Sequence, residues 1–489
     1  MSDKSDNQSL KQKTALGLFW GLLSSGGTQL LNLIIGIFLA RLLSPEEYGI
    51  VGMLLIFSLI AGNLQDSGFY TALINIKDIK QNDYNAVFWF NICVSLSIYT
   101  VLFLCAPLIA AFYHQPCLVR LSRYVFLSIP IAASLIVPTA ILSRSLRVKE
   151  KAIVSLLALL LSGLVGIFMA FKGFSYWSLA TQQIVYILIS CIGRFACARW
   201  CPSLPVDFSP IKRMFSFSYK VLITAVLTTI NNNLLTVVFG RLFPAAAVGN
   251  YTQANKWNTM ANQLVSNTVA QVAQPVFTRI NDDNQRERRV FGKMMRFTAF
   301  LAFPAMFGLA LVAPQFILAT IGDKWLESIP LLQILCIGGA FIPFYTLYQN
   351  LFLSYGKSNT YMWLSIGQIA VMLMAVLASH SIGFKAMVVA FAVINILWLL
   401  VWQLFASRLI GYRLMSMLRD LMPFMLIAML VMGMVYIVTI QISNLYFLLV
   451  SRVLLAVALY FMIMKLLRAK IFEECLDFIR SRSNKNNDK

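Results

Sequence analysis

Ala40-Arg41-Leu42-Leu43 runs through Ser44-Pro45-Glu46-Glu47-Tyr48 to Gly49, and 200 residues later Gly240-Arg241-Leu242-Phe243 runs through Pro244-Ala245-Ala246-Ala247-Val248 to Gly249. Each stretch closes one long apolar segment and opens the next. Upstream, Thr28 and Asn32 are matched by Thr228 and Asn232. The chain reads as two copies of one membrane unit, the organisation of secondary transporters whose substrate path lies between the halves.

Hydrophobic residues make up 59% of the 489 and charged residues 12%. Apolar stretches of about 20 residues or more recur, so the chain is an all-α polytopic membrane protein and a soluble core is excluded. The polar segment from Met1 to Lys13 precedes an apolar stretch too long for a signal-peptide core and without a small-residue cleavage site. The first helix is therefore expected to remain in the mature protein. Of eight cysteines, Cys93, Cys105, Cys191 and Cys336 fall in apolar spans, and Cys197 and Cys201 have no histidine nearby. They read as packing residues, and neither a metal nor a cofactor is expected.

Hydropathy predicts fourteen spans, near 15–40, 48–75, 85–112, 122–143, 152–171, 175–198, 217–243, 249–277, 291–320, 330–355, 360–380, 384–408, 421–441 and 445–466. The corresponding organisation is an N-tail (1–14), an N-lobe of spans 1–6 (15–200) and an inter-lobe linker (201–214). A C-lobe of spans 7–12 (215–410), spans 13 and 14 (411–468) and a C-tail (469–489) follow. With the N-terminus cytoplasmic, 31 of the 40 lysines and arginines face the cytoplasm, which supports that orientation and an even number of spans. The remaining nine are Arg41, Arg120, Arg123, Lys172, Arg241, Lys256, Lys324, Lys385 and Arg452. The net charge of +21 is thereby a topology signal, and no nucleic-acid partner is implied. Six spans separate the two copies, so the repeats run parallel about an axis along the membrane normal and imply two six-helix lobes facing across a cleft, with spans 13 and 14 appended.

Polarity locates the cleft. Span 8 carries Asn250, Thr252, Gln253, Asn255, Lys256, Asn258, Thr259, Asn262, Gln263, Ser266, Asn267, Thr268, Gln271 and Gln274. No helix so polar can face lipid. At helical spacing Thr252, Lys256, Thr259, Gln263, Asn267, Gln271 and Gln274 form one stripe, with Tyr251, Trp257, Leu264 and Val265 as apolar contacts around the rest. Weaker clusters occur in span 1 (Ser24, Thr28, Gln29, Asn32), span 2 (Asn63, Gln65, Asp66, Ser67) and span 7 (Thr224, Thr228, Asn231, Asn232, Asn233). These four helices are expected to line a hydrated cavity; the competing reading is interhelical hydrogen bonding in a dry bundle.

Ionisable residues inside spans cost roughly 2.5–3.5 kcal/mol at a helix centre without water or a partner. Lys256, about two turns inside span 8, is a candidate for an anionic head group. Asp66 is its counter-charge or a site for a coupling proton or sodium ion; a structural ion pair or snorkelling is the alternative for both. Arg41 and Arg241, related by the repeat, are either anion-contacting residues at the mouth of the cleft or interfacial anchors. His114 and His380 form no metal constellation. The segment 471–482 is either an amphipathic surface helix or a solvated tail.

The stretch Phe38-Leu39-Ala40-Arg41-Leu42-Leu43-Ser44-Pro45-Glu46-Glu47-Tyr48-Gly49 resembles the first helix pair of Wzx-type polysaccharide flippases, in the multidrug/oligosaccharidyl-lipid/polysaccharide exporter superfamily. Asp66-Ser67-Gly68 with Ala72-Leu73-Ile74, Gly249-Asn250-Tyr251 with Ala254, and Gln274-Pro275-Val276-Phe277 continue the likeness. The second copy departs at Pro244-Ala245-Ala246-Ala247. The resemblance implies a transporter, not an enzyme, that moves an undecaprenyl-pyrophosphate-linked oligosaccharide from the cytoplasmic to the outer leaflet of a bacterial plasma membrane by rocking of two lobes. Membrane lipid, a polysaccharide polymerase and a chain-length regulator are the partners it implies. On this reading Lys256, Arg41, Arg241, Asn231, Asn232, Asn255 and Gln263 contact substrate. A cation-coupled multidrug exporter of the same superfamily would share the fold but favour an acidic cavity. A membrane polymerase or glycosyltransferase would call for a sizeable extramembrane loop or an Asp-x-Asp motif, and the sequence has neither.

Overall fold

In the computed structural model, residues 20, 24–66, 69–76, 78–204, 207–209, 211, 222, 226, 229, 230, 233–280, 284–469 and 471–474 are described. Their regular secondary structure is helical, with no strand among them. The helices are α1 (Ser24–Leu42), α2 (Pro45–Asp66), α3 (Phe69–Asn75), α4 (Gln81–Tyr113), α5 (Leu118–Val125), α6 (Ser128–Ala133), α7 (Ile136–Arg144), α8 (Val148–Phe171) and α9 (Trp177–Ala198). After them come α10 (Asn233–Leu242), α11 (Ala245–Ile280), α12 (Asn284–Thr320), α13 (Ser328–Gly339), α14 (Ile342–Ser354), α15 (Ser358–Ala378), α16 (Phe384–Ile410), α17 (Leu414–Thr439) and α18 (Leu445–Leu466).

Among the described residues twelve helical segments are long and apolar enough to cross a membrane. Three of them join shorter helices: α2 with α3, α5 to α7, and α13 with α14. The expected spans 7 and 8 correspond to α10, short and only partly described upstream, and to α11, which is long but polar. At 36 residues α11 is about 54 Å long, well beyond a hydrocarbon core of about 30 Å. It starts at Ala245 rather than near 249, so Lys256 lies three turns from its first residue instead of two. Of the expected surface helix over 471–482 only residues 471–474 are described, and these are helical.

In two of the three joined spans, α5 to α7 and α13 with α14, the breaks fall one turn before a proline, although Pro107, Pro304, Pro314 and Pro423 lie inside continuous helices. A ring at position i clashes with the carbonyl of i−4 and removes a hydrogen bond. Pro130 and Pro138 put that clash at Phe126 and Ser134, and the helix parts at 126–127 and 134–135; Pro343 puts it at Gly339, and the chain turns at 340–341. Three-residue bonds such as Leu127 N to Tyr124 O at 3.1 Å and Phe341 N to Gly338 O at 3.2 Å bridge the gaps.

The chain divides into two compact units, Met1–Thr252 and Gln253–Lys489, the division falling inside α11. In the first, Phe69, Leu73, Val87, Phe88, Ile136 and Val137 bury a core that joins α3, α4 and α7 to Trp200 and Ile211. Asn85 holds the chain after α9 by bonding Ser203 Oγ at 2.6 Å and accepting from its N–H at 3.2 Å. In the second, α12 packs against α13, α17 and α18, so the last two helices are docked on the unit rather than loosely appended. Arg452 of α18, 5% exposed, fastens that junction through Gln315 Oε1 (2.8 Å), Thr439 Oγ1 (3.1 Å) and the Leu311 carbonyl (3.3 Å). Trp402 anchors α16 among Tyr345, Tyr348, Phe352 and Tyr361, with Tyr348 donating to Gln403 Oε1 at 2.7 Å. The exposed large side chains on α4, α8 and α17 are mostly leucine, valine, isoleucine, methionine and phenylalanine, apolar groups that lipid solvates.

Candidate functional site

The two repeat motifs meet within the first unit. A Cβ built on Gly49 would lie 1.8 Å from the Ala245 carbonyl oxygen, and one on Gly249 would lie 1.7 Å from that of Pro45. Only glycine lets α2 and the first turns of α11 bring their backbones into contact this way, a reciprocal crossing in which each copy contributes the same residue. Gly52 extends it against Thr252 Oγ1, 3.0 Å from where its Cβ would stand, and Gly240 makes room for the Tyr113 ring at 2.6 Å.

Arg41 and Arg241 are both exposed one turn before the crossing. Arg241 is bound to the end of α4: its Nη1 donates to the Phe112 carbonyl at 2.7 Å and lies 2.7 and 2.9 Å from the two ring nitrogens of His114, while the guanidinium stands over the Phe112 ring at 5.4 Å. A cation at a helix C-terminus meets the unsatisfied carbonyls and the negative end of the dipole. This assigns a role to His114 that its sequence position did not reveal.

Helix α11 has two polar faces. Gln253, Asn258 and Asn262 are buried, Gln253 completely. Asn262 Nδ2 donates to Asn258 Oδ1 at 3.2 Å, and the pair sits where a Cβ on Gly339 of α13 would fall, 2.3 Å from Asn258 Oδ1. The second face is the predicted stripe: Thr259, Gln263 and Asn267 are exposed and Thr252 and Lys256 half-buried, with Asn255, outside the predicted stripe, half-buried beside them. Of the expected apolar contacts, Tyr251, Trp257 and Val265 are buried, whereas Leu264 is 65% exposed and belongs to the open side. Lys256 Nζ lies over the Trp257 ring at 5.3 Å, and among the described residues no carboxylate is within ion-pair distance of it. Trp257 in turn packs edge-on against Phe316 of α12 at 5.1 Å, which fixes the platform under the ammonium.

Asn63 of α2 donates to Thr229 Oγ1 at 2.6 Å, and Asn233 of α10 to the Thr229 carbonyl at 2.9 Å, so the polar residues of spans 2 and 7 are joined. Asn231 and Asn232 lie outside the described residues, as do the side chains of Asp66, Gln271 and Gln274. The arrangement holds no acid–base or nucleophile pair on the stripe. It offers amides, hydroxyls and one ammonium on an open helix face, which is recognition chemistry.

The chain as a whole is similar to several known proteins. The succinoglycan biosynthesis transport protein ExoT of Rhizobium meliloti (strain 1021) is 27% identical over 332 residues, 66% of this chain and 67% of the relative. The lipopolysaccharide biosynthesis protein WzxC of Escherichia coli (strain K12) is 25% identical over 344 residues, 68% of each chain. The teichuronic acid biosynthesis protein TuaB of Bacillus subtilis (strain 168) is 24% identical over 430 residues, 86% of this chain and 88% of the relative. Among solved structures, the lipid II flippase MurJ in an inward closed conformation superposes with a TM-score of 0.78 at 13% identity, covering 93% of this chain and 99% of MurJ. An inward-facing multidrug transporter of the MATE family, of the MOP superfamily, gives 0.62 at 16% identity over 78% of this chain and 94% of its own. The fold of these two structures is therefore the fold of this chain. Residues 38–330, more than half of the sequence, match the family described as polysaccharide biosynthesis protein, and the chain belongs to that family.

Proposed function

We propose that this protein is a flippase that carries an undecaprenyl-pyrophosphate-linked oligosaccharide from the cytoplasmic to the outer leaflet of a bacterial plasma membrane. The observation that carries the proposal is the open stripe of α11. In a chain of mostly apolar helices, Thr259, Gln263 and Asn267 are exposed beside the ammonium of Lys256. Amides and hydroxyls match sugar hydroxyls, and an ammonium matches a pyrophosphate. Relatives named for succinoglycan, lipopolysaccharide and teichuronic acid biosynthesis support a polymer-precursor cargo.

In this proposal fourteen spans form two six-helix lobes, 15–200 and 215–410, with both termini in the cytoplasm. The α2–α11 crossing lies at the outer end. Asn231, Asn232, Asn255 and Gln263 contact the sugar, Arg41 and Arg241 stand at the outer mouth, and Asp66 balances Lys256. Outward movement of an anion from a negative interior is favoured by about 2.3 kcal/mol per charge per 100 mV, so the membrane potential supplies driving force without a coupling ion. The path delivers its cargo to an outer-leaflet polymerase and its chain-length regulator. A multidrug exporter of the same fold is disfavoured, because the charge on the stripe is basic.

Translocation of a fluorescent polyprenyl-pyrophosphate oligosaccharide in proteoliposomes tests this. Lys256→Ala should slow transfer about tenfold or more at unchanged protein level, whereas Asp66→Asn should keep its dependence on an imposed potential. A wild type that moves no lipid but accumulates a cationic dye under an ion gradient refutes the proposal in favour of the drug exporter.

A further inference from the structure

The first unit holds two cations away from the α11 stripe. Thr139 and Ser143 are i and i+4 on α7 and so project from one face, about 5–6 Å apart. Arg194 of α9 donates from Nη1 to Thr139 Oγ1 at 2.7 Å and from Nη2 to Ser155 Oγ of α8 at 3.4 Å. Lys151, in the first turn of α8, donates to Ser143 Oγ at 3.2 Å. Its Nζ lies 6.0 Å from the centre of the Tyr70 ring, whose hydroxyl is 3.1 Å from the same Ser143 oxygen. Four helices thus bring an ammonium and a guanidinium to neighbouring hydroxyls one helical turn apart.

Neither cation meets a carboxylate at ion-pair distance among the described residues. The acid adjacent to Lys151, Glu150, is taken by Arg147 Nε at 3.0 Å. Arg144, the last residue of α7, is engaged otherwise, donating to the carbonyls of Leu73 (2.8 Å), Ile74 (2.9 Å) and Ile76 (2.6 Å) at the end of α3. Arg194 Nε is buried and has no hydrogen-bond partner among the described residues. Two like charges bonded to hydroxyls one helical turn apart in a half-buried setting repel, and hydroxyls do not neutralise them. A multiply charged anion would. The guanidinium supplies a planar fork, the ammonium a point charge, and the Ser143 and Ser155 hydroxyls can donate to further oxygens, a combination suited to a phosphate ester. Thr139 Oγ1 already donates to the Leu135 carbonyl at 2.6 Å and serves to hold Arg194. Lys151, Ser143, Ser155 and Arg194 are all half-buried, so the group is reachable.

We propose that Lys151 and Arg194, with the hydroxyls of Thr139, Ser143, Ser155 and Tyr70, form a phosphate cradle separate from Lys256, at the end that the charge bias assigns to the cytoplasm. The phosphate comes from a bilayer lipid head group or from the pyrophosphate of the carried lipid; only in the second case does the cradle rest on the flippase reading.

The test uses the full chain in detergent with Lys256→Gln as background, so that the stripe does not report. Binding of farnesyl diphosphate and of dioleoyl phosphatidylglycerol is measured by thermophoresis. Lys151→Gln and Arg194→Gln should each weaken binding about tenfold, whereas Lys151→Arg with Arg194→Lys should stay within about threefold. Loss confined to farnesyl diphosphate assigns the cradle to the carried lipid, loss confined to phosphatidylglycerol assigns it to the bilayer, and loss of both assigns general phosphate recognition. Unchanged affinity for both probes in the glutamine variants overturns the proposal. So does equal loss in the charge-keeping pair, which would mean damage to the fold. Translocation is scored separately: a protein that flips nothing but loses binding in the glutamine variants refutes the proposed function and leaves the cradle standing.

Discussion

The two copies of the repeat start their second helices in the same way by different chemistry. In the first, Ser44 and Glu47 close a capping box: Ser44 N donates to Glu47 Oε2 at 2.6 Å, and Glu47 N donates to Ser44 Oγ at 3.3 Å. In the second, Pro244 stands where Ser44 does, Ala247 where Glu47 does, and the Pro244 carbonyl accepts from Ala247 N at 3.0 Å and Val248 N at 3.3 Å. Five residues after each start position the copies agree again, at Gly49 and Gly249. A helix start needs its free N–H groups satisfied by any convenient acceptor. A backbone crossing needs the absence of a side chain, and only one residue meets that. Duplication therefore preserved the glycines and let the caps diverge.

The largest expected effect follows directly. Gly49→Ala and Gly249→Ala each place a methyl within 2 Å of a backbone oxygen that cannot step aside without opening the helix pair. Each should lower unfolding stability in detergent by about 3 kcal/mol or more and abolish complementation. Gly26→Ala, on α1 with nothing within 4 Å of its Cβ, should be neutral or slightly stabilising. Equal losses at Gly49 and Gly249 sustain the reciprocal crossing; a tolerant glycine at either position breaks it.

Much of this was legible in the sequence, and the residues say why. Hydropathy and the matched motifs at 41–49 and 241–249 report on helix placement, because an apolar length and a turn are local properties. The stripe was legible too: Thr259, Gln263 and Asn267 are on the open side as helical spacing requires. The opposite face was not, since Gln253, Asn258 and Asn262 are as polar as the stripe and only Gly339, far away in the chain, reveals which amides are enclosed. The breaks in the spans at 126–127 and 340–341 had a signal in Pro130 and Pro343 that a hydropathy average does not see. Lys151 and Arg194 were counted among cytoplasmic charges, a tally that records side and hides partners.

A medium effect separates the caps. Ser44→Ala or Glu47→Ala should cost about 1 kcal/mol each, seen as a lower unfolding midpoint without loss of the crossing. Pro244→Ser combined with Ala247→Glu carries the box into the second copy and should leave stability within about 1 kcal/mol of wild type. A large loss from this transplant would show that the second loop has acquired a role of its own and that the copies are no longer interchangeable there.

The smallest expected effect concerns the arginines that precede the crossing. Arg241 reaches the end of α4, 2.7 Å from the Phe112 carbonyl and within hydrogen-bond distance of the His114 ring, which is held by a left-handed backbone at φ 54°. Both side chains are exposed, so water competes for each contact. A double-mutant cycle on Arg241→Ala and His114→Ala should return a coupling of about 0.5–1 kcal/mol, because each substitution removes the contact that the other needs. Arg41→Ala combined with His114→Ala should be additive, since Arg41 belongs to the other copy and His114 receives Arg241. Coupling in the second cycle equal to the first would mean that the two arginines share one acceptor and that the motif copies are linked through α4 as well as through their glycines.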